Sequence, residues 1–393
     1  MKKKILFVID SLGIGGAEKS LITLLNCIDY SRFDVDLQLF SRGGAFEKYI
    51  PKNINILPNI DYLSYCSKSL VSTINPKYII SRLCYSLKLR FNKTASHPDK
   101  AMLFWKSAKK SFTKNDKQYD VAIAYSQGVP TFYVIDKVSA NRKIAWVNAS
   151  LLINGKTLDY NNKYYNKYNN IVAVSPTAKD VLNEKFKDLR HKFTIIADII
   201  DPNTINQMAS EFVSDLRDSD NQVKILTVAR LNNKHKGYDI ALDVAKILNN
   251  RGVNFVWYAV GDGGYRAEME SFIKGNNLTD KFVLLGAKGN PYPYFRTCDL
   301  YVQTSRHEGF GLSIAEARIL NKPVVSTEFD AVWNQMVQGK NGIVVPIDAI
   351  AVADAIQDLI ENPEKMNAIS DYQRTEKKGN IEELQKFYQL IES

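Results

Sequence analysis

Arg306-His-Glu-Gly-Phe-Gly-Leu-Ser-Ile-Ala-Glu-Ala-Arg318 places two carboxylates, Glu308 and Glu316, eight residues apart around Gly309 and Gly311. The run before it, Leu300-Tyr-Val-Gln-Thr-Ser305, reads as a strand, and Ser313 to Leu320 has the pattern of a helix. A strand that ends at glycines and opens a helix is suited to bind phosphate. Glycine lets the backbone come close, and the first-turn N–H groups have no partner of their own. One carboxylate lies before the loop and the other two turns into the helix. The stretch therefore suits a ligand with a diphosphate at its middle and hydroxyls at both ends. Glycine pairs at strand ends are also common plain turns, so the loop alone identifies nothing.

Working outward, short β-branched runs alternate with helix-length segments. The first series is Ile5–Ile9, Val35–Phe40, Val121–Tyr125, Lys143–Val147 and Ile171–Val174. A second series follows in Lys224–Val228, Asn254–Val260, Phe282–Leu285, Leu300–Gln303, Pro323–Ser326 and Gly342–Val345. Such alternation predicts parallel sheets covered by helices on both faces, an α/β class. The two series, parted by the polar stretch 197–222, predict two doubly wound domains. The boundaries expected are 1–197, 198–375 and a tail, 376–393, whose Ile381, Leu384, Phe387, Leu390 and Ile391 form a helical apolar stripe. The tract Asn161–Asn170 reads as a surface helix leading into a strand. Asp34-Val-Asp36 lies in a strand-like alternation and is expected to be solvated.

With 393 residues, 45% hydrophobic and 24% charged, the chain has ample length for two cores. No apolar run approaches the ~18–20 residues of a spanning helix. The basic start, Met1-Lys-Lys-Lys, mimics a leader, but its apolar stretch is short and meets Asp10, which predicts a first strand. Cys27, Cys66, Cys84 and Cys298 have no metal or redox spacing, and reduced thiols in a cytosolic protein are expected. The net charge of +10 is uneven: residues 1–200 carry 31 Lys/Arg against 16 Asp/Glu, and 201–393 carry 21 against 26. The densest part, 51–117, has 13 basic and 3 acidic residues mixed with Tyr78, Ile80, Leu83, Leu87, Phe91 and Trp105. That mixture suits an anionic membrane surface. Nucleic acid is the rival partner, without a recognised module to support it, and a plain solvated basic face is the simplest reading.

Two further stretches point to phosphate. Leu12-Gly-Ile-Gly-Gly-Ala-Glu-Lys-Ser20 is a glycine-rich strand-to-helix loop, though not the strict dinucleotide fingerprint, and it also fits a turn with no ligand. Thr227-Val-Ala-Arg-Leu-Asn-Asn-Lys-His-Lys-Gly237 puts Arg230 at a strand end and Lys236 just before a helix. Two fixed cations there can neutralise a diphosphate, Arg as a planar fork and Lys as a point charge.

In this order the motifs resemble retaining glycosyltransferases of family 4, whose architecture is GT-B, two Rossmann-like domains facing a central cleft. Ala229-Arg-Leu with Lys236-Gly, Val260-Gly-Asp-Gly263, Phe282-Val-Leu-Leu-Gly286, Cys298-Asp-Leu-Tyr-Val-Gln-Thr-Ser305 and Glu308-Gly-Phe-Gly-Leu with Glu316-Ala carry the resemblance. It implies a hexosyltransferase that needs no metal or other cofactor, with a nucleotide-diphosphate sugar as co-substrate, UDP-linked rather than GDP-linked. Arg230 and Lys236 are implied to stabilise the leaving diphosphate and Glu308 to face the transferred sugar. The amides of Gly309, Phe310, Gly311 and Leu312 are implied to hold phosphate and sugar oxygens, and Glu316 the ribose hydroxyls. Gly16 is implied to let the first domain approach the donor across the cleft, Gly286 and Ala287 to edge the base, and the tail to pack back on the first domain. Many members carry a histidine where this chain has Asn148, which leaves Asn148 as a sugar contact that cannot carry a proton. The implied acceptor is a lipid-linked glycan at the inner face of the cytoplasmic membrane, in capsule or related surface polysaccharide synthesis. An inactive nucleotide-sugar-binding partner and a basic nucleic-acid-binding protein are the alternatives.

Overall fold

The first apolar run folds as β1 (Lys3–Ile9), and its alternation explains its place. Leu6 and Val8 pack into one buried cluster and Ile5, Phe7 and Ile9 into another, so both faces of the strand are covered. The computed structural model describes residues 2–67, 75–148, 155–216, 222–308 and 310–392. The chain divides into two compact units, residues 1–199 with 381–393, and residues 200–380.

In the first unit, β2 (Phe33–Leu39), β3 (Asn55–Ile56), β4 (Gln118–Ala124), β5 (Ser139–Val147), β6 (Asn170–Ala173) and β7 (Phe193–Ile195) join β1 in a parallel sheet. Its order is β3-β2-β1-β4-β5-β6-β7, so the winding reverses between β1 and β4. The two short strands β3 and β7 have too few residues to show any periodicity in the sequence. The last helix, Glu383–Glu392, belongs to this unit. It sets Leu384, Phe387, Leu390 and Ile391 into the cluster around β1, with Phe387 stacked on Phe7 at 6.2 Å between ring centres. Each such side chain stabilises the unit by ~1.5–3 kcal/mol when fully buried. The Glu383 carboxylate fixes the start of the helix by accepting from the Ala197 N–H at 3.0 Å.

The second unit holds β8 (Val223–Val228), β9 (Phe255–Val260), β10 (Phe282–Gly286), β11 (Leu300–Gln303), β12 (Val324–Thr327) and β13 (Ile343–Val345). The order β10-β9-β8-β11-β12-β13 is again parallel, with the reversal between β8 and β11. Both units are thus doubly wound α/β sheets, as the alternation of runs predicts. In such sheets ligands bind beyond the carboxyl ends of the strands at the reversal.

Two sequence expectations are corrected. Asp36 is buried rather than solvated, because β2 has a paired neighbour on each side and helices over both faces. Its carboxylate is matched there by Lys117 Nζ at 2.8 Å, the Tyr119 hydroxyl at 2.7 Å and Asn55 at 2.6 Å. Asp34, two residues earlier on the same face near the start of the strand, is exposed. The tract from Asn161 also does more than cover a surface. The helix Gly155–Tyr165 buries Asn161, Tyr164 and Tyr165, and Tyr168 beyond it is buried too. Aromatic bulk outweighs the polar composition of that stretch. The polar connection after residue 197 contains a helix, Pro202–Met208, capped by the Asp201 carboxylate.

Candidate functional site

At the reversal of the second sheet, β8 and β11 bring their carboxyl ends together. β8 leads through Arg230 into the one-turn helix Asn233–Lys236, and β11 leads into the segment that holds Glu308. One oxygen of Glu308, Oε1, accepts hydrogen bonds from Lys236 Nζ at 2.5 Å, Ser305 Oγ at 2.7 Å and Gln303 Nε2 at 3.0 Å. A carboxylate oxygen held by three donors is fixed in orientation. No partner for Oε2 is present among the described residues, which leaves that oxygen to accept from a ligand. Lys236 and Glu308 are both largely buried, with side chains 25% and 13% exposed.

Backbone geometry joins these two loops. Gly237 adopts φ +60°, and a Cβ there would lie 2.1 Å from the Thr304 carbonyl oxygen. Only glycine fits, so the Lys236 turn can lie directly on the end of β11. Thr304 Oγ1 donates to the Lys236 carbonyl, and the Arg306 N–H donates to the His235 carbonyl. Arg306 forks onto Asp239 with contacts of 2.8 and 2.7 Å and locks the same two loops from the outer side. Burial pushes the Asp239 pKa up, but hydrogen bonds from Arg306 and backbone N–H groups outweigh it and hold the carboxyl below its ordinary range.

Gly311, at φ +86°, precedes the helix Leu312–Ile319 and turns the chain so that the helix starts beside the end of β8. Ser313 Oγ donates to the Val228 carbonyl at 3.0 Å, which ties the first helical turn to that strand. Phe310 is half-buried, and Glu316 is buried on the helix just over one turn in. Gly309 lies outside the described residues. The structure therefore brings Lys236, Glu308, Gly311, Leu312 and Glu316 to one end of one sheet. Arg230 is at that end too but is exposed, with no ion pair among the described residues, so only one of the two expected cations is fixed. Gly286 and exposed Ala287 end β10, two strands from β8, or roughly 10 Å across the sheet. The Gly286 carbonyl accepts from the Gly261 N–H at the end of β9.

Three participants escape a reading of local motifs. Gln303 and Ser305 sit within the run read as a strand. Their polarity in a buried strand end is the signal that could reveal them, since buried polar groups need partners. Gln335 has no such signal. It reaches across 25 residues in sequence to donate to the Phe310 carbonyl at 2.5 Å, and it also donates to the Gly311 carbonyl. This bond fixes the peptide planes of the loop.

In the first unit, Gly16 is exposed and opens the helix Gly16–Cys27. Ser126 Oγ donates to Asp10 Oδ2 at 2.8 Å across the β1–β4 reversal. Asn148, after β5, donates from Nδ2 to the Tyr125 carbonyl at 2.5 Å, while its buried Oδ1 has no partner among the described residues. The Tyr125 hydroxyl meets Ser20 Oγ at 2.8 Å, and Ser20 in turn donates to Asp198. Burial pushes the Asp198 carboxyl up to about 6, with the Ser20 bond opposing. Between pH ~4 and ~6 the folded chain thus keeps a proton that the unfolded chain releases, and stability falls as pH rises through that window. Asp198→Asn should raise the melting temperature at pH 7.5 by the equivalent of about 1–3 kcal/mol and flatten its fall between pH 4 and 6.5, followed by thermal denaturation at several pH values. An unchanged pH profile would show that another group carries the dependence.

Comparison with known proteins fits this geometry. Residues 210–376, within the second unit, match the family model described as glycosyl transferases group 1. An uncharacterized glycosyltransferase of Methanocaldococcus jannaschii is 27% identical over 207 residues, 49% of this chain and 50% of that protein. The chain spans about half the length of this and several other curated relatives, or less. A longer match is the N-acetylgalactosamine-N,N'-diacetylbacillosaminyl-diphospho-undecaprenol 4-alpha-N-acetylgalactosaminyltransferase of Campylobacter jejuni. It is 28% identical over 329 residues, 83% of this chain and 81% of that one. Among solved structures, Anabaena HepE in complex with UDP and glucose superposes with a TM-score of 0.67 at 19% identity, covering 100% of both chains. The shared fold is GT-B, the α/β class with two Rossmann-like units.

Proposed function

We propose, from the group 1 glycosyl transferase match of the second unit, that the chain is a retaining, metal-independent hexosyltransferase. It moves a hexose from a nucleotide-diphosphate sugar, UDP-linked by preference, to a lipid-linked glycan in bacterial surface polysaccharide synthesis. The observation that carries this reading is the Glu308 carboxylate, held on one oxygen by Lys236, Ser305 and Gln303 at the sheet reversal. A fixed carboxylate with one oxygen left over suits sugar hydroxyls, and a lysine beside it suits a phosphate oxygen. The Campylobacter relative, whose printed name gives an undecaprenol-linked acceptor, supports the lipid-linked acceptor here.

In the transfer, the bond from the anomeric carbon to the donor phosphate oxygen breaks and its electrons leave with the diphosphate. The acceptor oxygen bonds the anomeric carbon on the same face, and its proton passes to a departing phosphate oxygen. Lys236, exposed Arg230 and the N–H groups at Gly311 and Leu312 stabilise the developing diphosphate charge, and electrostatic donors of this kind supply the largest share of such catalysis. Glu308 Oε2 and Glu316 hold hydroxyls on either side of the diphosphate, and Gly286 with Ala287 edges the base. The resemblance gives Gly16 a backbone approach to the donor, and Asn148 Oδ1, with no partner among the described residues, accepts from a sugar hydroxyl without carrying a proton. The cationic segment 51–117 holds the enzyme at an anionic membrane surface.

The test is a panel of UDP-, GDP- and other nucleotide sugars with EDTA, read by thermal shift and by slow release of free nucleoside diphosphate. One donor is expected both to stabilise the protein, by ~2.7 kcal/mol at one hundred times its Kd, and to be hydrolysed without metal. Stabilisation without hydrolysis, persisting when acceptor lipid is added, would favour the inactive binding partner. No response to any donor would overturn the donor site.

A further inference from the structure

We propose that the outward ridge of the helix Pro76–Phe91 inserts into the boundary between headgroups and acyl chains of an anionic lipid bilayer. This helix lies in the most basic stretch of the chain, and its inner side is accounted for. Tyr78 packs on Tyr62 and Tyr65, Tyr85 meets Phe104 edge-on at 5.3 Å, and the hydroxyl of buried Ser81 bonds that of Ser111. Trp105 on the next helix, His97–Ala108, is fully buried and donates to Asp136. Half of the apolar residues in the segment therefore serve the core of the first unit.

The other half do not. Ile80, Leu83, Leu87 and Phe91 are 60, 58, 50 and 85% exposed. Their spacing of i, i+3, i+7 and i+11 gathers them on one ridge at ~3.6 residues per turn. Exposed apolar residues scattered singly are ordinary, but a contiguous ridge marks an interaction surface. Exposed Cys84 lies beside it. At ~100° per residue, Lys77 and Lys88 flank the ridge on one side and Arg90 on the other. Lys88 is tied to Ser107 Oγ at 3.0 Å, whereas Lys77 and Arg90 are exposed. Pro76–Phe91 contains no acidic residue, and Lys93 follows just beyond it.

This arrangement selects the occupant. An apolar ridge between two rows of cations is the profile of a helix lying in a membrane interface, apolar side down, with lysine and arginine at the phosphates. At 16 residues the helix is ~24 Å long, short of the ~30 Å hydrocarbon core, so it lies in the plane. No helix among the described residues is long and apolar enough to cross a membrane. A second copy docking symmetrically on the same ridge would oppose cations with cations. The inference deepens the membrane partner proposed above and rests on that reading. It adds insertion of named side chains to charge attraction alone.

The experiment uses the full chain with phosphatidylglycerol-containing vesicles and with pure phosphatidylcholine vesicles, read by sedimentation. A polarity-sensitive thiol probe on Cys84 gives a second readout. Wild type should sediment with the anionic vesicles and keep part of that binding in ~1 M salt, where the Debye length is ~3 Å. The probe emission should shift to the blue. Leu83→Ser, Leu87→Ser and Phe91→Ser together should lower the partition coefficient by about tenfold or more, and Lys77→Gln with Arg90→Gln should lower it at low salt and reduce its further loss on adding salt. Release of nucleoside diphosphate from a donor without vesicles should be unchanged in all variants, so failure of the donor chemistry is scored separately. The proposal is overturned if wild type binds neither vesicle, or if the serine variant sediments like wild type. It is equally overturned if light scattering shows a dimer that the serine substitutions dissociate. Should the serine variant not fold, the Cys84 shift on the otherwise unaltered chain decides.

Discussion

Lys236→Ala should lower turnover of the nucleotide sugar by roughly 10²–10³, the loss typical of removing one fixed electrostatic donor. The expectation follows from where the ammonium sits, 2.5 Å from Oε1 of Glu308, which precedes the helix Leu312–Ile319 by four residues. Its contribution to a leaving diphosphate grows as charge develops, so kcat should fall more than KM rises. The fold should tolerate the change, because Glu308 keeps its bonds from Ser305 and Gln303 and the site is partly open to water. Lys236→Arg should recover only part of the activity, since a planar fork does not occupy the space of a point charge. Single-turnover and steady-state rates with the donor found by the panel make the measurement. A variant within threefold of wild type would remove Lys236 from the machinery.

Gly237→Ala should be among the most damaging single methyl groups in the second unit. Left-handed backbone at φ +60° costs alanine ~1–2 kcal/mol. The new Cβ would also stand 2.1 Å from the Thr304 carbonyl oxygen, a backbone atom that moves only if β11 moves. A total of about 3–4 kcal/mol is expected, which lowers the melting temperature of a unit of this size by about 10 °C. Activity should disappear well below that temperature, because any shift that relieves the contact parts Lys236 from Glu308. Thermal melts and donor hydrolysis at one low temperature test both halves. A stable but inactive protein would fit the geometry, whereas a stable and active one would mean that the two loops do not meet as described.

The fold was legible because parallel strands buried on both faces must be apolar along their whole length. Ile5–Ile9 and Asn254–Val260 read that way without help, and β8, β11 and the glycine-marked helix start follow in the same manner. Asp36 shows where that reading fails. Alternation along β2 identifies two faces, but whether the second face meets water depends on β3, Lys117 and Tyr119, which arrive from elsewhere in the chain.

At the site, the sequence by itself determined the chemistry on offer: a lysine before a glycine, a glutamate before a glycine-rich turn, and a second glutamate on the helix that follows. Local spacing suffices there, because turns and helix starts are made by neighbours in the chain. Tertiary structure alone decided which atoms are held. It put Ser305 and Gln303 on the same carboxylate oxygen as Lys236, and it brought Gln335 across 25 residues onto the loop carbonyls. It also left Arg230 without an ion pair among the described residues and decided which side of the helix Pro76–Phe91 meets the core. That helix carries two apolar arcs separated by polar positions such as Lys77, Lys88 and Arg90, so no periodicity tells its buried arc from its exposed one. Only the positions of Tyr62, Phe104 and Ser111 settle the matter, because burial is a property of what lies opposite a side chain and not of the side chain alone.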